Sequence, residues 1–213
     1  MQNINNIDHI NEKIKKIAKE IEPELISIRR ELHQYPELGI NLPKTHDIIS
    51  RELYKIPNLT IREHMAGGYG IIAELQGKKP QGKNLLLRAD IDALPLEEKA
   101  VNDYRSKYPG CMHACGHDGH ATWLIGAAKI LARFTDEFGG CIRFAFQPGE
   151  EVGLGADTMI KEDKVLENPK IDMAFAAHGW PSVESGKIGI VRRYAFGCVG
   201  GFKVKISGKK GHA

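Results

Sequence analysis

Ile10, Ile14, Ile17, Ile21, Leu25, Ile28 and Leu32 recur at steps of three and four, which is one apolar stripe of an amphipathic helix. Pro23 falls inside the stripe. Proline cannot donate to a helical ladder, so a break or a fresh first turn is expected there. The stripe runs for only about three heptads and crosses a proline, which favours helices packed on a sheet over a coiled coil. A second helix is expected from about Lys44 to Tyr54.

The period then changes. "TIREH", "YGIIAEL" and "NLLLRADI" are short β-branched or leucine-rich runs bounded by Gly, Pro and Asn, the pattern of strands. "HATWLIGAAKILARF" returns to helix, "CIRFAFQP" to strand, "GADTMIKE" to a short helix, and "MAFAAHG" to a strand ending at His178. "GKIGIVR" and "GFKVKISG" read as further strands. Strands alternating with helices predict an α/β domain with a central mixed, mostly parallel sheet flanked by helices. "NLLLRADI" and "MAFAAHG" are apolar enough to be buried on both faces.

Composition narrows the classes. Thirty basic against 27 acidic residues leave a net charge of +3, too even to argue for nucleic acid, and no basic face carries interleaved aromatics. Lys13, Lys15 and Lys16 read as a solvated helix face. No apolar run approaches the ~20 residues of a membrane span, and "MQNINNIDHINEKIKK" lacks a signal-peptide core. A cytoplasmic location is expected, with Cys111, Cys115, Cys141 and Cys198 as reduced thiols.

The polar residues gather at strand ends, where open α/β sheets place their sites. "LLLRADID" ends in Asp90 and Asp92, "RFAFQPGEE" in Glu150 and Glu151, and "MAFAAHG" in His178. The segment 111–120 holds two cysteines, three histidines and an aspartate just before a helix. Thiolate, imidazole and carboxylate are the donors of zinc and similar ions. Cys115-Gly-His117 sets two such donors two residues apart, turned toward one ion or toward two neighbours. Glu151 and His178 could complete a shared cluster, and mixed ligation fits a catalytic site better than a structural one. Cys111-x3-Cys115 as half of a zinc ribbon lacks a second pair. Cys111 and Cys141 read as small apolar fillers. His9, His33, His46, His64, His113 and His120 read singly as surface or satisfied polar groups. Adjacent carboxylates at Glu150 and Glu151 cannot point the same way in an extended chain, so one can hold metal while the other handles a proton. On spacing alone, a pair of exposed loop acids is an equally good reading.

"RADIDALPLEE", "MHACGHDGHA", "FAFQPGEEVGLGADTMI", "HGWPSVESGKIGI" and "VKISGKKGHA" follow one another in the order of a known family. The chain resembles the amidohydrolase branch of the zinc-dependent exopeptidases, which includes aminoacylases, hippurate hydrolases, N-acetyl-diaminopimelate deacetylases and auxin-conjugate hydrolases. The resemblance spans about residues 20 to 213. It implies a two-metal site (Zn, Mn, Co or Ni) between a catalytic α/β domain and a smaller lid. Cys115, His117, Glu151 and His178 would be metal ligands and Glu150 the general base and acid. Asp92 would orient a ligand, and His212 would help hold the substrate carbonyl. The implied reaction is hydrolysis of an N-acyl amino acid.

The family also has a further ligand histidine and a complete lid that this sequence lacks. Residues 1–195 are then expected to be the N-terminal part of the catalytic domain, and 196–213 the start of the lid, with only its first strand. A homodimer is expected for the full-length protein, and low stability, incomplete metal binding and little turnover for this chain. A dipeptidase or carboxypeptidase of the same superfamily, and a catalytically dead metal-binding module, are the competing readings.

Overall fold

The computed structural model describes residues 2–193, 197, 200, 202–209 and 211. Two compact units emerge, Met1–Gly179 and Trp180–Ala213. The first carries all the helices and strands found among the described residues: α1 (Gln2–Gln34), α2 (Pro43–Leu53), β1 (Leu59–Met65), β2 (Gly70–Gln76), β3 (Leu85–Asp90), α3 (His117–Leu131), β4 (Cys141–Gln147), α4 (Gly155–Lys161) and β5 (Met173–Ala176). A 3-10 turn at Ala132–Phe134 closes α3.

The five strands form one sheet in the order β1-β2-β4-β3-β5. β3 pairs parallel with β4 and with β5, while β2 pairs antiparallel with β1 and with β4. Parallel pairing therefore covers half of the sheet rather than most of it. Short connections without a crossing helix suffice for the β1-β2 hairpin, whereas β3 to β4 passes through α3 and β4 to β5 through α4.

Alternation along the strands sorts side chains to two faces. Ile71, Ala73, Leu75, Ala89, Ile142, Phe144 and Phe146 pack with Ile28, Leu32, Ile48, Ile49, Leu53, Leu124 and Ile125 of α1, α2 and α3. Ile72, Leu86 and Ala145 meet Met159 of α4 and Val165 on the other side. The most enclosed strand is β4, buried at every residue. Its Arg143 is fully buried too, paired with Glu74 and donating to the carbonyls of Val165, Glu167 and Asn168.

Three sequence expectations need correction. α1 does not break at Pro23 but runs through it. Ile21 and Ile28 are buried on either side of the proline, and Arg133–Glu20 and Lys129–Glu24 pairs flank it, so packing and charge hold the turn that proline weakens. β5, an edge strand of the sheet, is exposed throughout and not buried on both faces. "GKIGIVR" and the described part of "GFKVKISG" form no strand. A strand persists only when a neighbour pairs with it, and among the described residues none does. The expected first strand of a lid is therefore absent from residues 202–208. The described part of Trp180–Ala213 is a run of turns and coil, with Val183 N–H bonded to Trp180 O and Lys187 N–H to Glu184 O.

Candidate metal centre

Because β3, β4 and β5 are parallel, their carboxyl ends share one edge. Asp90 closes β3 and Asp92 follows two residues later; Gln147 closes β4 and leads through Pro148-Gly149 to Glu150 and Glu151; His178 lies two residues past β5. α3 begins at His117, after a Gly116 whose φ of 88° only glycine adopts easily. That left-handed residue swings Cys115 and His117 about one turn, and an isolated Leu94–Met112 bridge ties the loop before it to the end of β3. Gly149 plays the matching part before the glutamates: φ is 65°, and a Cβ there would meet Ile40 at 2.8 Å.

His117 is the centre of the arrangement. It is buried, with Nδ1 3.5 Å from Asp92 Oδ1 and Nε2 3.7 Å from Asp90 Oδ2 and 3.8 Å from Glu151 Oε1. These contacts are too long or misaligned for hydrogen bonds, and both ring nitrogens are buried with no hydrogen-bond partner among the described residues. One donor atom each from Cys115, His117 and Glu151 falls within 4.8 Å of the others, and so does one each from Asp90, His117, His120 and His178. Cys115 Sγ lies 3.5 Å from His178 Nε2, which joins the two groups.

Not every member of these groups has a lone pair to give. His120 spends Nδ1 on Asp90 Oδ1 at 2.5 Å and Nε2 on the Gly179 N–H at 2.8 Å. Asp90 spends its other oxygen on Arg88 Nη1 at 2.8 Å. Asp92 accepts the N–H of Glu150 at 3.0 Å and of Glu151 at 3.1 Å, one on each oxygen, so it clamps the turn that carries both glutamates. Cys115, His117, Glu151 and His178 are the set that the sequence motifs name, and Cys115 Sγ already meets His178 Nε2 at 3.5 Å.

The electrostatics of the pocket call for a cation. Burial and then the charges of Glu151, Asp90 and Glu150 push the Cys115 thiol up to about 11. Burial and the neighbouring Glu150 also raise Glu151. For His117, burial works against the charged form but the Asp92 and Asp90 carboxylates outweigh it, and the ring is raised. For Asp90 burial is likewise outweighed, by the His120 hydrogen bond and the charges of Arg88 and His117, which hold it at about 2. Buried, unpartnered imidazole nitrogens beside a thiol and carboxylates are what a borderline divalent ion completes. Cys115, His117, Glu151 and His178 thus fit such an ion chemically.

Sequence reasoning missed part of this. Asp90 and His120 tie the strand ends together, and buried His33, Asp118 and Glu98 form an ionic cluster with the half-exposed Arg29. His33, His46, His113 and His120 are all buried, not surface residues; His9 and His64 are exposed. His113 is not satisfied either, since neither ring nitrogen has a hydrogen-bond partner among the described residues. Cys111 and Cys141 are buried fillers as read. His212 lies outside the described residues.

An α/β sheet with thiol, imidazole and carboxylate groups gathered at its carboxyl edge has the make-up of a metal-binding α/β domain. The profile of Peptidase family M20/M25/M40 matches residues 86–210, and the chain belongs to that family. It is 44% identical to an N-acetyl-L-cysteine deacetylase of Bacillus subtilis (strain 168), over 91% of this chain and 45% of that protein. It is 37% identical to thermostable carboxypeptidase 1 of Saccharolobus solfataricus, over 94% of this chain and 50% of that one. Among solved structures, a Bacillus subtilis dinuclear metal binding peptidase of the M20 family superposes with a TM-score of 0.71 at 38% identity, covering 77% of this chain and 45% of its own. The chain spans about half the length of the curated relatives it matches.

Proposed function

We propose that this chain carries catalytic residues for hydrolysis of the amide bond of N-acyl amino acids at a two-metal site. The observation that carries the reading is His117, whose two buried nitrogens, without a hydrogen-bond partner among the described residues, sit among Asp90, Asp92, Glu151 and Cys115. Cys115, His117, Glu151 and His178 hold the divalent ions, Zn, Mn, Co or Ni. Ions bound there would supply the charge that acidifies a water and polarises the amide carbonyl. Glu150 is exposed beside Glu151, with its backbone N–H held by Asp92. Its carboxylate takes the proton from the attacking water and passes it to the amine as the C–N bond breaks. His212 is proposed to hold the substrate carbonyl, and the longer protein to form a homodimer.

The deacetylase relative supports an N-acyl amino acid as substrate. The carboxypeptidase relative, at comparable coverage, supports a peptide instead. N-acetyl amino acids assayed beside dipeptides and blocked peptides separate the two. Glu150→Gln is expected to keep its metal content and lose roughly 10²- to 10⁴-fold in turnover. Cys115→Ala combined with His117→Ala is expected to lose the metal. Full metal retention in that double variant would remove the site from consideration.

A further inference from the structure

His120 stands in the first turn of α3 with both ring nitrogens engaged. A carboxylate only accepts, so the proton between His120 and Asp90 sits on Nδ1. Nε2 then holds a lone pair and accepts the Gly179 N–H at 2.8 Å. The ring thus donates to Asp90 through Nδ1 and accepts from Gly179 through Nε2.

His120 is also the middle of a longer chain of bonds. Gln147 at the end of β4 accepts from Arg88 Nε at 2.8 Å, and Arg88 Nη1 donates to Asp90. Asp90 accepts from His120, and His120 accepts from Gly179. The carboxyl ends of β4 and β3, the start of α3 and the segment after β5 are thus joined in one line. Gly179 uses both of its backbone groups here: its N–H goes to His120, and its carbonyl accepts from His178 Nδ1 at 2.7 Å. With Nδ1 protonated, Nε2 is the lone-pair nitrogen of His178, and Nε2 faces Cys115 Sγ. β5 is only four residues long, exposed throughout and paired on one side only. Pairing alone therefore holds the segment after β5 weakly.

We infer that His120 is a positioning residue and not a metal ligand: it latches Gly179 to Asp90 and so sets where His178 presents Nε2. The inference rests on the reading of His178 as a ligand. It separates His120 from Asp90, His117 and His178, with which it is otherwise equally close.

The test uses the 213-residue chain with ¹⁵N-glycine labelling. Exchange of the Gly179 amide is followed without metal, and Zn²⁺ is titrated calorimetrically. Wild type is expected to protect the Gly179 amide. His120→Ala should speed its exchange at least tenfold and weaken Zn²⁺ binding roughly 10- to 100-fold with the number of ions unchanged, as loss of a supporting hydrogen bond does. His120→Gln should restore both, because its amide again offers a donor and an acceptor. His178→Ala should lose an ion while Gly179 stays protected. If the alanine variant does not fold, His120→Asn, a methylene shorter and able to meet one partner, should fall between Gln and the predicted loss.

Loss of an ion in His120→Ala without rescue by Gln would make His120 a ligand and overturn the inference. Unchanged Gly179 exchange in His120→Ala would overturn it as well. Failure of wild type itself to bind Zn²⁺ would instead overturn the metal reading, and the exchange data would still decide the latch.

Discussion

His33 sits buried between two carboxylates, with Nδ1 2.7 Å from Asp118 and Nε2 3.2 Å from Glu98. The Asp118 hydrogen bond raises its pKa above 6.5 against the opposing effect of burial, and the Asp118 charge and Glu98 add to the rise. Arg29 pairs with the same Asp118 oxygen and works against the rise. A group whose folded pKa is raised contributes stability that is fully present below its unfolded value and is lost as pH rises through the folded value. His33→Gln should therefore cost most below about pH 6, and the gap to wild type should narrow as pH climbs above 6.5. Urea midpoints at constant ionic strength across that range check this, and a gap that widens with pH would contradict it. The same residue shows what a sequence hides. The gathering of Cys115, His117 and Glu151 is legible because each stands in a compact motif at a strand or helix end. His33 meets Asp118 across 85 positions and His120 meets Asp90 across 30, so spacing carries no trace of either pair.

Elements were read more fully than side chains because period and punctuation are local. The expected strands and helices up to His178 are all present, most with ends displaced by one to three residues. What failed needed tertiary knowledge: an edge strand reads like a central one, and β-rich runs at 186–192 and 202–208 lack a pairing partner. Pro23 failed differently, since a strong local rule lost to packing. The proline is exposed and contributes no buried side chain. Its helix-interior penalty of about 3 kcal/mol is offset by about 0.4–1 kcal/mol of unfolded-state stiffening. Pro23→Ala should therefore stabilise the chain by roughly 2 kcal/mol, seen as a higher urea midpoint at unchanged slope. A destabilised variant would mean that the proline shapes α1 in a way the packing requires.

At the scale of the whole molecule, the chain folds an acidic and thiol-bearing pocket with little positive charge of its own beside it. Arg88 pairs with Asp90, but burial and the charges of Glu151, Asp90 and Glu150 raise the Cys115 thiol, and burial and Glu150 raise Glu151. Such a pocket stores electrostatic repulsion that a divalent cation relieves, so metal binding and folding are linked. Zn²⁺ or Mn²⁺ at a hundredfold excess over its Kd should add about 2.7 kcal/mol. For a chain of this size that is a rise in Tm of roughly 5–10 °C. EDTA should reverse it. Binding should also release a proton from Cys115, whose thiol is held up to about 11 without metal, and calorimetry in buffers of different ionisation enthalpy reads that proton directly. Cys115→Ser should lose the released proton and most of the stabilisation together. Stabilisation that survives in Cys115→Ser without proton release would place the ion elsewhere on the chain. No stabilisation in wild type would contradict a metal centre built from Cys115, His117, Glu151 and His178.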